Sequence, residues 1–115
     1  MKSSSCKQKG RRFQQTVANI IKAYFDLPDP DAVSTGMGQA GMDIQLSSAA
    51  REVFPYAVEC KNTETLKIWE ALKQAEANAQ KEGLTPALFF TRNRSEAYVA
   101  IPVKTFMDLT VRRQS

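Results

Sequence analysis

The sequence predicts one α/β domain, a central mixed β-sheet flanked by helices. Its length of 115 residues suits a single core and not two. Its hydrophobic content of 43% and charged content of 24% are those of an ordinary globular chain. The periodicities then run in a fixed order: a helical stretch, two or three strand-like stretches, a helix, two strands and a last helix.

Residues 1–8 read as a flexible basic tail, which leaves the folded domain to 9–115. Over 9–25, Phe13, Val17, Ile20, Ile21, Tyr24 and Phe25 recur at helical spacing. Lys9, Arg11 and Arg12 fall in the first turn of that helix, where cations oppose its dipole. They point to a partner outside the helix, with a solvated face as the alternative. Leu27-Pro28-Asp29-Pro30-Asp31 ends the element, because proline cannot continue it.

Ala32 to Thr35 reads as a short strand, and Ser34 to Gly41 as a loop with three glycines. Their spacing fits neither a P-loop nor a dinucleotide fingerprint. The loop is either a connector or a place where a phosphodiester backbone approaches closely. Alternation from Asp43 marks a second strand. Ser47 to Glu52 supplies a polar turn, and Val53 to Lys61 runs back as its hairpin partner, with Pro55 marking a bulge or an edge. Along that strand Glu59 and Lys61 share one face while Cys60 takes the other. A charged pair ending a half-buried strand is costly unless something at its tip needs it. Paired as a hairpin, the strands bring Asp43 and Glu59 onto one divalent cation beside Lys61, a site for metal-assisted hydrolysis. A plain salt bridge at a strand end is the other reading.

Asn62 to Thr65 forms a helix N-cap region. Leu66 to Glu82 follows, with Ile68, Leu72, Ala75 and Ala79 on one face and Gly83 as the stop. Trp69, on the shoulder of that face, is assigned to the core, with base stacking as the alternative. Pro86 to Phe90 and Ala97 to Ile101 read as strands around a polar loop that holds Arg92 and Arg94. Pro102 opens the last helix, and Val111 to Ser115 reads as a basic tail.

Composition narrows the chemistry. There is no histidine, which excludes Ser-His-Asp and Cys-His catalysis and the usual zinc sites. Cys6 and Cys60 form no metal-binding pair and no disulfide framework, which fits a reducing cytoplasm. A net charge of +4 favours a polyanionic partner. No apolar run nears the ~20 residues that span a bilayer, so no membrane partner is expected. No apolar segment follows the basic N-terminus as a secretory signal requires.

Gly41-x-Asp43 and Glu59-x-Lys61, set between one helix and the next, resemble the PD-(D/E)xK nuclease superfamily. Lys9-Gly10 opening a helix and a loop with Ser34 look most like archaeal-type Holliday-junction resolvases and their phage-encoded relatives, over about residues 9–109. The resemblance implies a restriction-endonuclease-like fold and a DNA endonuclease dependent on Mg²⁺, with Mn²⁺ able to substitute. It implies that Asp43, Glu59 and the Cys60 backbone carbonyl hold the ion. Lys61 would orient or help deprotonate the attacking water, and Gln74 would be aimed at the site. Ser34, with Lys7, Lys9, Arg11, Arg12, Arg92 and Arg94, is assigned to DNA. Two positions depart from the pattern: Met42 replaces the motif proline, and Gln14 stands where related resolvases have a glutamate, so it ligates weakly and brings no charge. Cutting a junction symmetrically needs two sites, hence a homodimer, with Phe106, Met107, Leu109, Phe89 and Phe90 as candidate interface residues. A nicking or end-processing nuclease and a catalytically silent nucleic-acid-binding module are the alternatives.

Overall fold

A computed structural model describes residues 2–36 and 41–114. The glycine-loop residues 37–40, Gly38 among them, lie outside that range. Helix α1 spans Lys2–Phe25, so it starts seven residues before Lys9 and runs through the expected tail. Nothing there breaks a helix, since serine carries only a modest propensity cost. Lys9, Arg11 and Arg12 are therefore interior to α1, where the helix dipole no longer opposes them.

The buried stripe of α1 is Phe13, Gln14, Val17, Ala18 and Ile21. Ile20 and Tyr24, expected inside, are 42% and 83% exposed. Asp26 ends the helix at φ 54°, in the left-handed region that aspartate tolerates. Leu27 N–H then donates to the Lys22 carbonyl at 3.0 Å. A 3₁₀ turn over Asp29–Asp31 leads into β1, Ala32–Ser34, which pairs antiparallel with β2, Ile44–Leu46.

The expected β-hairpin after β2 does not form. Ser47 to Glu52 is not a turn: α2 spans Ser48–Val53, and the Ser47 hydroxyl caps it by accepting from Ala50 N–H at 3.1 Å. β3 begins at Tyr56 and ends at Asn62. It pairs in parallel with β4, Thr85–Thr91, across helix α3, Ile68–Glu82. β5, Tyr98–Ala100, closes this three-stranded sheet antiparallel to β4. The outcome is an α/β domain with a mixed sheet, as the periodicities predict.

Residues of β3 alternate strictly between two layers. Val58 and Cys60 pack with Phe13, Val17 and Ile21 of α1, together with Ile44, Leu46 and Phe54. Ala57 packs on the other side, with Ala79 of α3 and Met42. Small residues at Ala71, Ala75 and Ala79 let α3 lie close to the sheet. Trp69 is 78% exposed and does not belong to the core, contrary to expectation. The stripe turns through Ala71 rather than Ile68, which moves Trp69 to the outer side. Gly83 stops α3 at φ 67°, a left-handed C-cap. Helix α4 runs from Val103 to Arg113, taking in most of the expected basic tail, and buries none of its residues.

Candidate active site

The site gathers where the start of β2 meets the C-terminal half of β3. Asp43 sits one residue before β2 and reaches β3 twice. Its N–H donates to the Val58 carbonyl at 3.0 Å, and its Oδ2 accepts from the Cys60 N–H at 2.7 Å. The aspartate thus takes the place of a strand partner for β3, and so positions itself without a hairpin. The Thr35 N–H donates to the Asp43 carbonyl at 3.0 Å and the Thr35 hydroxyl reaches it at 3.2 Å, tying Asp43 to the residue after β1.

Glu59 is 2% exposed, on the α3 side of β3. Lys61 Nζ lies 3.7 Å from its Oε2, so the expected same-face placement of acid and base is met. On the next element, Asn78 Nδ2 donates to Glu59 Oε1 at 3.5 Å and to the Gly41 carbonyl at 3.2 Å. Asn78 therefore joins α3 to the glycine loop and to the buried acid. The sequence reading does not single it out, although it lies one helical turn beyond Gln74 on the same face.

Burial dominates the electrostatics. It pushes the Glu59 carboxyl up to about 7, and the neighbouring Asp43 charge adds to that, while Lys61 and Asn78 pull it down. Asp43 is also raised by burial, against the pull of the Cys60 N–H and Lys61. Burial thus favours the protonated form of both acids, and a positive charge at this place favours the ionised form, as Lys61 does. Burial raises the Cys60 thiol as well, so its side chain is a neutral core group.

Gln74 is exposed on α3 and lines a shallow cavity of ≈ 220 Å³ together with Lys61. Gln14, on α1, is 4% exposed, and its Oε1 accepts from the Ser34 hydroxyl at 2.8 Å. The two side chains assigned separately to metal and to DNA are thus bonded to each other, and Ser34 is the register partner of Ile44, the residue after Asp43. Lys7, Arg11, Arg12, Arg92 and Arg94 are exposed. Lys9 forms an ion pair with Glu64 at 3.7 Å, and Glu64 Oε2 also accepts from Asn93 N–H at 2.7 Å. One acid therefore ties the basic face of α1 to the loop that carries Arg92 and Arg94.

No group of three or more His, Cys, Asp or Glu side chains converges among the described residues. The donor set is still apt for a hard cation. Magnesium commonly takes one or two carboxylates and completes its shell with water and substrate phosphate. Asp43 and Glu59 supply that number. No helix among the described residues is long and apolar enough to cross a membrane.

A family model described as "Phage putative PDDEXK endonuclease" matches residues 5–114. No curated protein and no solved structure matches the chain.

Proposed function

The chain belongs to the phage putative PDDEXK endonuclease family, and from that premise we propose that it hydrolyses DNA phosphodiesters with a divalent cation. Magnesium is the expected ion, with manganese substituting. The observation that carries the reading is the buried Glu59 carboxyl, held beside Asp43 and 3.7 Å from Lys61. A structural salt bridge does not require a second acid raised by burial at the same place.

Asp43, Glu59 and the Cys60 backbone carbonyl would hold the ion, which would supply Lewis-acid neutralisation of the charge that builds on the phosphoryl oxygens. The remaining work falls to the chain's own groups. An ionised carboxylate has about four lone-pair sites, so Asp43 keeps acceptor capacity beyond its bond to Cys60. Lys61, more exposed than Glu59, presents a compact ammonium that orients a water and holds a phosphate oxygen. Gln74 shares a cavity with Lys61 and donates or accepts at the same phosphate. Asn78 holds Glu59 in place from α3. Gln14 brings no charge, so its part in ligation is minor.

Structure-specific cutting of the junction-resolving type, by a homodimer, is the finer reading. It is favoured by the apolar surface along α4, where Phe106 and Met107 are 57% and 53% exposed. Labelled junction, flap, duplex and single-stranded DNA, each offered with Mg²⁺, test it. Preferential cleavage of the junction supports resolution, and cleavage confined to ends or nicks supports the end-processing alternative.

A further inference from the structure

Next to the proposed catalytic groups, a cavity of ≈ 550 Å³ opens among Thr63, Leu66, Ile68, Phe90, Arg92 and Tyr98, with Glu64 on its rim. Thr63 and Leu66 also line the cavity that holds Lys61 and Gln74, so the two spaces adjoin. One wall is aromatic. Phe90 and Tyr98 are register partners on β4 and β5, their rings 6.1 Å apart and inclined by 30°. Tyr98 is 56% exposed, which leaves a ring face open to a ligand. Ile68, at the start of α3, adds an aliphatic side chain to the lining.

The rim is polar and mixed in charge. Arg92 offers a planar cation, whereas Glu64, fixed by Asn93 and Lys9, offers an acceptor. Glu64 disfavours a free phosphate inside the cavity, yet it suits the amino and imino donors of a base edge. A flat aromatic ligand with donors on its edge and an anionic attachment outside has the chemistry of a nucleotide, not of a lipid or an apolar peptide.

We propose that this cavity receives the base of an unpaired nucleotide beside the scissile phosphate, stacked on Tyr98 and Phe90, with Arg92 on its phosphate. The inference rests on the nuclease reading and extends it, because a base can reach the cavity only when it has left its duplex stack. Mismatched or already unpaired positions cost least to unstack, so DNA with a local break in pairing is the preferred substrate. Arg92, read from the sequence as a general phosphate-binding group, becomes part of a selective site.

The test compares a labelled, fully paired duplex with the same duplex carrying one unpaired nucleotide. Affinity is read by fluorescence anisotropy in the absence of Mg²⁺, so that cleavage does not intervene. The wild-type chain should bind the second DNA roughly tenfold tighter or more, the scale of a base stacked on one ring. Tyr98→Ala and Tyr98→Leu should lose that preference, and Tyr98→Phe should keep it. Thermal unfolding of each variant controls for folding, and an exposed residue should leave it near wild type. Equal wild-type affinity for both DNAs, or a folded Tyr98→Leu chain that keeps the preference, overturns the proposal. Adding Mg²⁺ separates this from the nuclease reading. Cleavage without preference removes the base site alone. Preference without cleavage supports the base site and removes the nuclease reading.

Discussion

The Cys60 peptide N–H donates to Asp43 Oδ2 at 2.7 Å, one residue after Glu59 projects its own carboxyl from the same strand. A single peptide thus sets the relative position of both acids. Asp43 consequently has a structural bond beside its proposed ligand role, and a substitution can separate the two. Asp43→Ala should abolish cleavage and also destabilise the fold by about 1–3 kcal/mol, because a partly buried N–H loses its acceptor. Asp43→Asn keeps an acceptor oxygen, so it should melt near wild type and still fail to cut. Thermal unfolding run beside a cleavage assay checks both halves. An active Asp43→Asn chain would count against ligation.

Glu59 gives a pH signature. Its carboxyl is raised from 4.5 to about 7 in the folded chain, so the folded state holds the proton more tightly than the unfolded one. The stability it contributes is fully present below about pH 4.5 and is lost as pH rises to about 7, on the order of 3 kcal/mol. The shift of Asp43 has the same sign. Glu59→Gln should flatten this loss, and at pH 8 should be more stable than wild type without metal. Mg²⁺ should restore the wild-type chain at pH 8 and leave Glu59→Gln unchanged, since ligation needs the ionised acid. Denaturant titrations at pH 5 and pH 8, with and without Mg²⁺, measure both effects.

Lys61→Arg distinguishes catalysis from simple pairing. The guanidinium keeps the charge 3.7 Å from Glu59 but spreads it over a wide planar fork. Cleavage should fall roughly 10²-fold if Lys61 positions a water. Near-normal turnover would return the pair to a salt bridge.

The basic groups should set the salt dependence of DNA binding. Glu64 links the α1 face to the Arg92–Arg94 loop, so both groups are expected to meet the same DNA. Arg11→Ala with Arg12→Ala should weaken binding and reduce the salt slope by up to about 0.9 for each phosphate no longer neutralised. The metal requirement should stay unchanged. A slope equal to wild type would move the DNA to another face.

Assembly is open to light scattering at micromolar concentration. Phe89, Val99, Ile101 and Leu109 line an apolar cavity of ≈ 280 Å³ together with Phe25 and Phe54, and Phe106 and Met107 on α4 are also exposed. Phe90 lies on the other side of the sheet, with Tyr98, and leaves the proposed interface. A homodimer that Met107→Glu converts to monomer is the expected result. A strict monomer, free and on DNA, would favour end processing over junction resolution.

The core of this arrangement is legible in the sequence because strand alternation is a strong local signal. Glu59 and Lys61 share a face and Cys60 does not, as period two requires. The partner of β3 is less legible. Ser47 capping a six-residue helix resembles a polar turn, since so short an element carries under two turns of periodicity. The bond from Asp43 to Cys60 replaces the missing hairpin, and no pattern in the sequence announces a side chain standing in for a strand. Asn78 could have been found by stepping one turn from Gln74. Glu64 could not, because its two partners lie far away in sequence, on α1 and in the β4–β5 loop.

The most direct measurement of the central claim is a divalent-ion titration with labelled DNA. Cleavage should be absent in chelator, appear with Mg²⁺ or Mn²⁺, and be lost in Asp43→Asn at every ion concentration. DNA that is bound but intact across the whole titration would contradict the account and leave a binding module in its place.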